Sequence, residues 1–245
     1  MSQTKQSKAE NSTEIQYNGN RRDFLKFGGA TLAATGLIMA GCQEVSDFLP
    51  NGRQAPLASD QRAVPLGKGD IGVLNYAYTL EQLEAAFYLA VVANPYSGIS
   101  EEEMTIMEDL RNHEVAHRDF LKAALGKDAI IDLTFDLSSV DFNDRASVLS
   151  TAKTFEDLGV AAYNGAGQLL VSADLLLIAG KIVSVEARHA AAIRSIFDAD
   201  FTSFAGSDVV DDVNGLDRAF SPAQVLEAAS PFIVNKIIAN QLPTS

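Results

Sequence analysis

The chain is poor in three things, and each shortage narrows its class. It has a single cysteine in 245 residues, Cys42, so no intrachain disulfide can form. It has only 19 Lys and Arg against 32 Asp and Glu, a net charge of −13. Nucleic acid is therefore excluded as a partner, and so is an anionic membrane surface held by charge alone. It also lacks an apolar run long enough to cross a bilayer: Phe27 to Gly41 is too short, and Leu175 to Val185 is broken by Lys181. That second stretch is expected to be a buried core helix.

Histidine is scarce too, at three residues, and two of them fall into one pattern. Glu114-Val115-Ala116-His117 and Glu186-Ala187-Arg188-His189 are both Glu-x-x-His, in well-separated parts of the chain. On a helix, residues three apart share a face, so carboxylate and imidazole point the same way. Ala116, Phe120, Leu121 and Ala124 continue the face around His117, and Val185, Ala192, Ile193 and Ile196 do so around His189. Charges beside an apolar stripe need a partner or a metal.

Residues 1–41 read as an export segment. A polar leader precedes Arg21-Arg22-Asp23-Phe24-Leu25-Lys26, a Gly- and Ala-rich apolar run and Met39-Ala40-Gly41-Cys42. The segment resembles a twin-arginine signal, and its end resembles a lipoprotein box in which Cys42 is lipidated. Met39 stands where Leu is usual, and the alternative is a plain cleaved signal with Cys42 buried. Removing residues 1–41 takes five basic and three acidic residues from the totals of 19 and 32, leaving 14 against 29, or −15. Membrane attachment would then come only through lipid at Cys42. Residues 42–69 carry Pro50, Pro56 and Pro65 without a sustained period, which suits a flexible linker.

Residues 70–205 read as four helices. Apolar positions from Ile71 to Ala90 recur at helical spacing, and Asn94-Pro95 with Gly98 ends that run. Ser100 followed by Glu101-Glu102-Glu103 is a helix start, and Gly126 closes the second helix. Residues 127–144 nearly alternate apolar and polar, an extended chain long enough to cross a bundle end to end. Third and fourth helices run from about Arg145 to Leu170 and Ala173 to Phe201, with Gly159, Gly165 and Gly167 permitting close approach in the third. The remaining 206–245 form an extension with two Ser-Pro helix starts, Ser221 and Ser230.

Hairpin arithmetic levels the carboxylates in pairs, and the two pairs can share one layer. Residues at the same level of an antiparallel hairpin are equidistant from its turn. Glu81 and Glu114 centre between Asn94 and Gly98, and Glu156 and Glu186 centre beside Val171-Ser172. Glu81 is followed seven residues later by Tyr88, and Glu156 by Tyr163, so the chain reads as one hairpin used twice. Glu84 rivals Glu81, and Asp157 is a weaker rival for Glu156. Glu81 is preferred for its hairpin midpoint and its spacing to Tyr88.

One Glu from each of two helices plus Glu-x-x-His from each of two others resembles the ferritin-like di-metal carboxylate superfamily. Leu80-Glu81-Gln82-Leu83-Glu84-Ala85-Ala86-Phe87-Tyr88, Thr154-Phe155-Glu156-Asp157-Leu158-Gly159, Ser184-Val185-Glu186-Ala187-Arg188-His189 and the segment from Ser221 to Phe232 are similar to the exported ferritin-like domain family. The resemblance implies an all-α fold: a ferritin-like four-helix bundle of two antiparallel hairpins joined by a long crossover, with a short helical C-terminal extension. It also implies two metal ions bridged by Glu114 and Glu186, one completed by Glu81 and His117 and the other by Glu156 and His189. Hard oxygen ligands with two imidazoles suit iron or manganese. The chemistry expected of such a pair is oxidase- or peroxidase-like, with dioxygen or peroxide and a reductant as partners. Tyr88 and Tyr163 would stand near it as hydrogen-bond donors or radical relays, or as plain core aromatics. A lipid-anchored, non-catalytic metal-binding or stress-related protein is the alternative. His113 to His117 also spells the zinc-protease string His-Glu-x-x-His, but that reading leaves the second Glu-x-x-His unexplained. His113 is expected to support the cluster from behind or to face solvent.

Overall fold

The computed structural model describes residues 63–198, 200 and 202–244. The twin-arginine segment and Cys42 lie outside the described residues. Four long helices make the body: α1 (Gly69–Ala93), α2 (Glu101–Leu125), α3 (Arg145–Gly167) and α4 (Ala173–Phe197). A short α5 (Pro222–Ala229) follows in the C-terminal extension. The helices pack as two hairpins, α1 on α2 and α3 on α4, giving the expected bundle. No described helix is long and apolar enough to cross a membrane.

Helix α1 is the central element, buried on every side from Gly72 to Ala85. A helix enclosed all round can carry polar side chains only where they find partners. Asn75 donates to the carbonyls of Leu66 and Asp128 and accepts from the amide of Ile130; Gln82 accepts from the amide of Leu133. These bonds fasten the extended crossover to α1 and satisfy its backbone where no ladder does. On its other edge the crossover meets the extension, through Asp136 N–H to Phe232 O and Val234 N–H to Thr134 O.

The helix ends follow the sequence chemistry. Ser100 and Glu103 form a capping box at α2, and Ser221 and Gln224 another at α5. Glu103 also binds Arg145 at the start of α3, whose guanidinium reaches the carbonyl of Ile196 near the end of α4. One carboxylate thus joins both hairpins. Two glycines of α3 meet close neighbours, each for its own reason. A Cβ at Gly165 would sit 1.8 Å from the Phe220 carbonyl oxygen, so the extension lies directly on this helix. At Gly159 it would meet carboxylate oxygens of Glu84 and Glu186 at 3.0 and 3.2 Å.

The structure departs from the sequence reading in three places. The 42–69 stretch is ordered at its end: Val64–Pro65 (β1) pairs in parallel with Ile237–Ile238 (β2), and Leu66 is fully buried. A strand so short has no visible period, and its partner lies at the far end of the described chain. The start of α4 is not a buried core helix, since Leu176 and Leu177 are 47% and 66% exposed. Leu175, Ile178, Ala179, Ile182 and Val183 turn inward. Around His117, only Leu121 is buried, while Ala116, Phe120 and Ala124 face outward.

Candidate metal centre

Six side chains from four helices converge at mid-height. Glu81 (α1), Glu114 and His117 (α2), Glu156 (α3), and Glu186 and His189 (α4) form two overlapping groups whose ligand atoms lie within 4.8 Å of one another. One group is Glu81, Glu114, His117 and Glu186; the other is Glu114, Glu156, Glu186 and His189. All four carboxylates are fully buried.

The two halves are related by the repeat. Glu114 sends Oε1 to within 2.8 Å of His189 Nδ1 and Oε2 to 3.6 Å of His117 Nδ1. Glu186 does the reverse, Oε1 standing 2.9 Å from His117 Nδ1 and Oε2 3.9 Å from His189 Nδ1. Glu81 Oε2 lies 3.4 Å from His117 and Glu156 Oε2 3.4 Å from His189. Two carboxylates therefore span both halves, and two serve one half each.

The tyrosines are exchanged between the hairpins. Tyr88 of α1 donates to Glu156 Oε1 of α3 at 2.5 Å, and Tyr163 of α3 donates to Glu81 Oε1 of α1. Each hydroxyl fixes one carboxylate oxygen and leaves the other, Oε2, aimed into the centre. The sequence spacing placed Glu and Tyr on one face of the same helix; the structure shows that each Tyr serves the other helix's Glu, because α1 and α3 run antiparallel past each other.

Eight buried atoms in the cluster have no hydrogen-bond partner among the described residues: Oε2 of Glu81 and Glu156, both oxygens of Glu114 and Glu186, and Nδ1 of His117 and His189. Close nitrogen-to-oxygen approaches without hydrogen-bond geometry mean lone pairs directed at a common centre. Buried polar groups are left so only where something else satisfies them. Four carboxylates and two neutral imidazoles balance two divalent cations in charge, and the oxygen-rich donor set fits iron or manganese.

Electrostatics within the cluster point the same way. Burial pushes Glu81 up to about 7 and raises Glu156, while burial with Glu114 and Glu81 raises Glu186 well above the carboxylate range. Glu114 is the exception: burial would raise it, but His117 and His189 together hold it down to about 2. For His117 burial works downward and is outweighed by Glu114, Glu186 and Glu81, which lift it to about 12. His189 is lifted to about 10 by Glu114 and Glu156 against the same penalty. Protons thus balance the clustered carboxylates, and a metal would displace them.

The rivals separate cleanly. Asp157 faces away and takes the Arg194 guanidinium, which is buried between Asp157 and Asp208. Glu84 does not compete with Glu81; both are buried, and Glu84 lies against Glu186 beside Gly159. Burial, then Glu186 and Glu114, raise its carboxyl well above the usual range. The zinc-protease arrangement does not form, because Glu114 is enclosed between both imidazoles and faces no cleft.

His113, exposed on α2, reaches His189 from behind. Its Nδ1 lies 2.9 Å from His189 Nε2, and the two rings are nearly parallel at 8°. With His189 Nδ1 turned to the cluster, its Nε2–H donates to His113 Nδ1, which fixes the tautomer. Among the described residues no such bond is made by His117. Arg194 and the Tyr exchange were not legible in the sequence, since both depend on which helices face each other.

A profile of the ferritin-like domain matches residues 69–199. The chain belongs to the ferritin-like domain family. That span covers the four helices of the bundle and all six clustered residues of this ferritin-like protein. Among curated proteins no match was found.

Proposed function

We propose that this ferritin-like protein binds two iron or manganese ions at Glu81, Glu114, His117, Glu156, Glu186 and His189, and that the pair carries oxidase- or peroxidase-like redox chemistry on dioxygen or peroxide. The observation that carries the reading is the set of eight buried, unpartnered donor atoms sorted into two halves. Bound there, a metal pair would supply one-electron steps and a Lewis-acidic surface for a small oxygen species. The chain's own groups set the conditions. Tyr163 and Tyr88 orient Glu81 and Glu156. Glu114 and Glu186 tie the two halves together, and His113 holds His189 in one tautomer. Burial at the bundle's mid-height excludes bulk water, which strengthens every charge interaction inside.

The route to the site of action belongs to the same proposal. Twin-arginine export of an already folded, metal-loaded domain, with lipid at Cys42 as its tether outside the cytoplasm, accounts for the sequence from Met1 to Cys42. Metal analysis of protein from its native host, with turnover of peroxide and dioxygen-dependent Fe(II) oxidation, tests the reading. About two ions per chain and turnover abolished by Glu114→Ala support it. Two bound ions without turnover would replace it with a metal-sequestering protein, and no bound iron or manganese would overturn it.

A further inference from the structure

At one pole of the bundle α4 turns an apolar face to solvent. Its first three turns, Ala173 to Val183, carry only two charges, Asp174 and Lys181. A helix apolar all round is ordinarily buried all round. Here Leu175, Ile178, Ala179, Ile182 and Val183 turn inward, while Ala173, Leu176, Leu177 and Gly180 face out at the i, i+3, i+4, i+7 spacing of a second apolar stripe. Val171, just ahead of the helix, is 90% exposed and extends it. Leu176 lies over Gly167 of α3, and Asp70 of α1 accepts from the N–H groups of Val171 and Ser172, so both neighbouring helices hold the face in place. Beyond Gly180 the exposed positions on this side become Lys181, Ser184 and Arg188. The apolar surface is therefore confined to the pole and gives way to polar residues at the level of Glu186. Neighbouring exposed apolar side chains rimmed by polar ones mark a contact with protein or membrane.

We propose that this face of α4 rests in a lipid bilayer of neutral headgroups. The proposal builds on the lipid tether at Cys42 and adds the surface by which the tethered bundle sits down. The described chain begins at this pole: Val64 and Pro65 lead through buried Leu66 into α1 at Gly69, and Asn75 donates to the Leu66 carbonyl. Residues 43–62 alone separate Cys42 from Ala63. The opposite pole lies a helix length further on, about 37 Å for the 25 residues of α4. Lipid at Cys42 thus brings this pole to the membrane first. Charge and composition select the occupant. The excess of acid in the chain repels an anionic surface, whereas aliphatic side chains enter the boundary between headgroups and acyl chains of a neutral bilayer without any charge requirement. The stripe holds only Val, Ala, Leu and Gly. Protein partners are gripped chiefly by Trp, Tyr and Arg, with Leu and Val under-represented, so the composition favours lipid over a second protein.

The chain has no tryptophan, so Leu177→Trp, at a position 66% exposed, installs a single fluorescent reporter. Lipid-bearing protein purified from its native host is reconstituted into phosphatidylcholine vesicles, with and without bromine on the acyl chains. Brominated lipid should quench the reporter at position 177 and leave that of Val213→Trp, an exposed position on the C-terminal extension, bright. Val171→Trp repeats the reading should the first variant fail to fold. Adding Val171→Gln and Leu176→Gln to Leu177→Trp should abolish the quenching, with circular dichroism showing the helices kept. Mass spectrometry of the same protein reads the lipid at Cys42. With that lipid present, equal quenching at positions 177 and 213, or none at either, overturns the proposal and leaves the tether standing. A reporter at 177 shielded from water but unquenched, in protein that sediments as a dimer, assigns the face to a second copy and sinks the proposal as well. A mature Cys42 without lipid removes the tether, and the seating on the bilayer falls with it.

Discussion

If the centre holds two metals as proposed, removing His113 should loosen one and spare the other. The two halves of the centre are alike in their carboxylates and tyrosines, but among the described residues only His189 has a partner for its outer nitrogen, 2.9 Å away at His113 Nδ1. In His113→Phe the aromatic ring remains and the acceptor is gone, so the His189 Nε2–H, on a side chain only 4% exposed, is left without its partner. Loss of such an outer partner costs about 10–100-fold in metal affinity, or roughly 1.4–2.8 kcal/mol at the tenfold-per-1.4 conversion. The fold should survive, because His113 is exposed and at most about 0.5 kcal/mol attends surface changes of this kind. The assay is competition between a chelator and Mn(II)-loaded protein, followed by electron paramagnetic resonance to resolve the two binding steps. One step should weaken and the other stay in place, and His113→Gln, which restores an oxygen acceptor, should recover part of the loss. Equal weakening of both steps, or no change in either, would refute the argument that His113 acts through His189.

Other perturbations read other parts of the structure. Tyr163→Phe leaves Glu81 Oε1 without its donor and should cost about 1–3 kcal/mol of stability, seen as a lowered melting temperature, with the matching loss at Glu156 in Tyr88→Phe. Metal-free protein should lose stability as pH rises. Glu81, titrating near 4.5 unfolded and about 7 folded, contributes stability below 4.5 that disappears through 7, and His117 and His189 lose theirs between 6.5 and about 12 and 10. Glu114, held down to about 2, acts in the opposite sense, its contribution disappearing as pH falls from 4.5 through 2, so melting temperatures should peak in mild acid. Metal-loaded protein should reverse the upper limb, since metal replaces the protons, and proton release on loading is measurable in weak buffer. Gly165→Ala should destabilise by forcing the Phe220 backbone off α3, read as faster proteolysis after residue 205; Gly159→Ala should instead crowd Glu84 and Glu186 and lower metal affinity.

What the sequence determined by itself was the set of residues that could meet and the level at which they meet. Helix period, capping residues and hairpin arithmetic are local or nearly so, and they put Glu81 level with Glu114 and Glu156 level with Glu186, because turn position alone fixes which residues lie equally far along two antiparallel helices; that both pairs share one layer was decided by how the hairpins dock. Tertiary structure decided the partnerships within that layer. Tyr88 serves Glu156 and Tyr163 serves Glu81 because α1 and α3 cross in opposite directions; Glu84 lies beside Glu186 because Gly159 leaves room for it; Asp157 turns out to Arg194; and His113 finds His189 across the gap between α2 and α4. The β1 and β2 pairing belongs with these. Each depends on distance between segments remote in the chain, set by how closely the helices pack, and side-chain spacing along one helix carries no record of that distance.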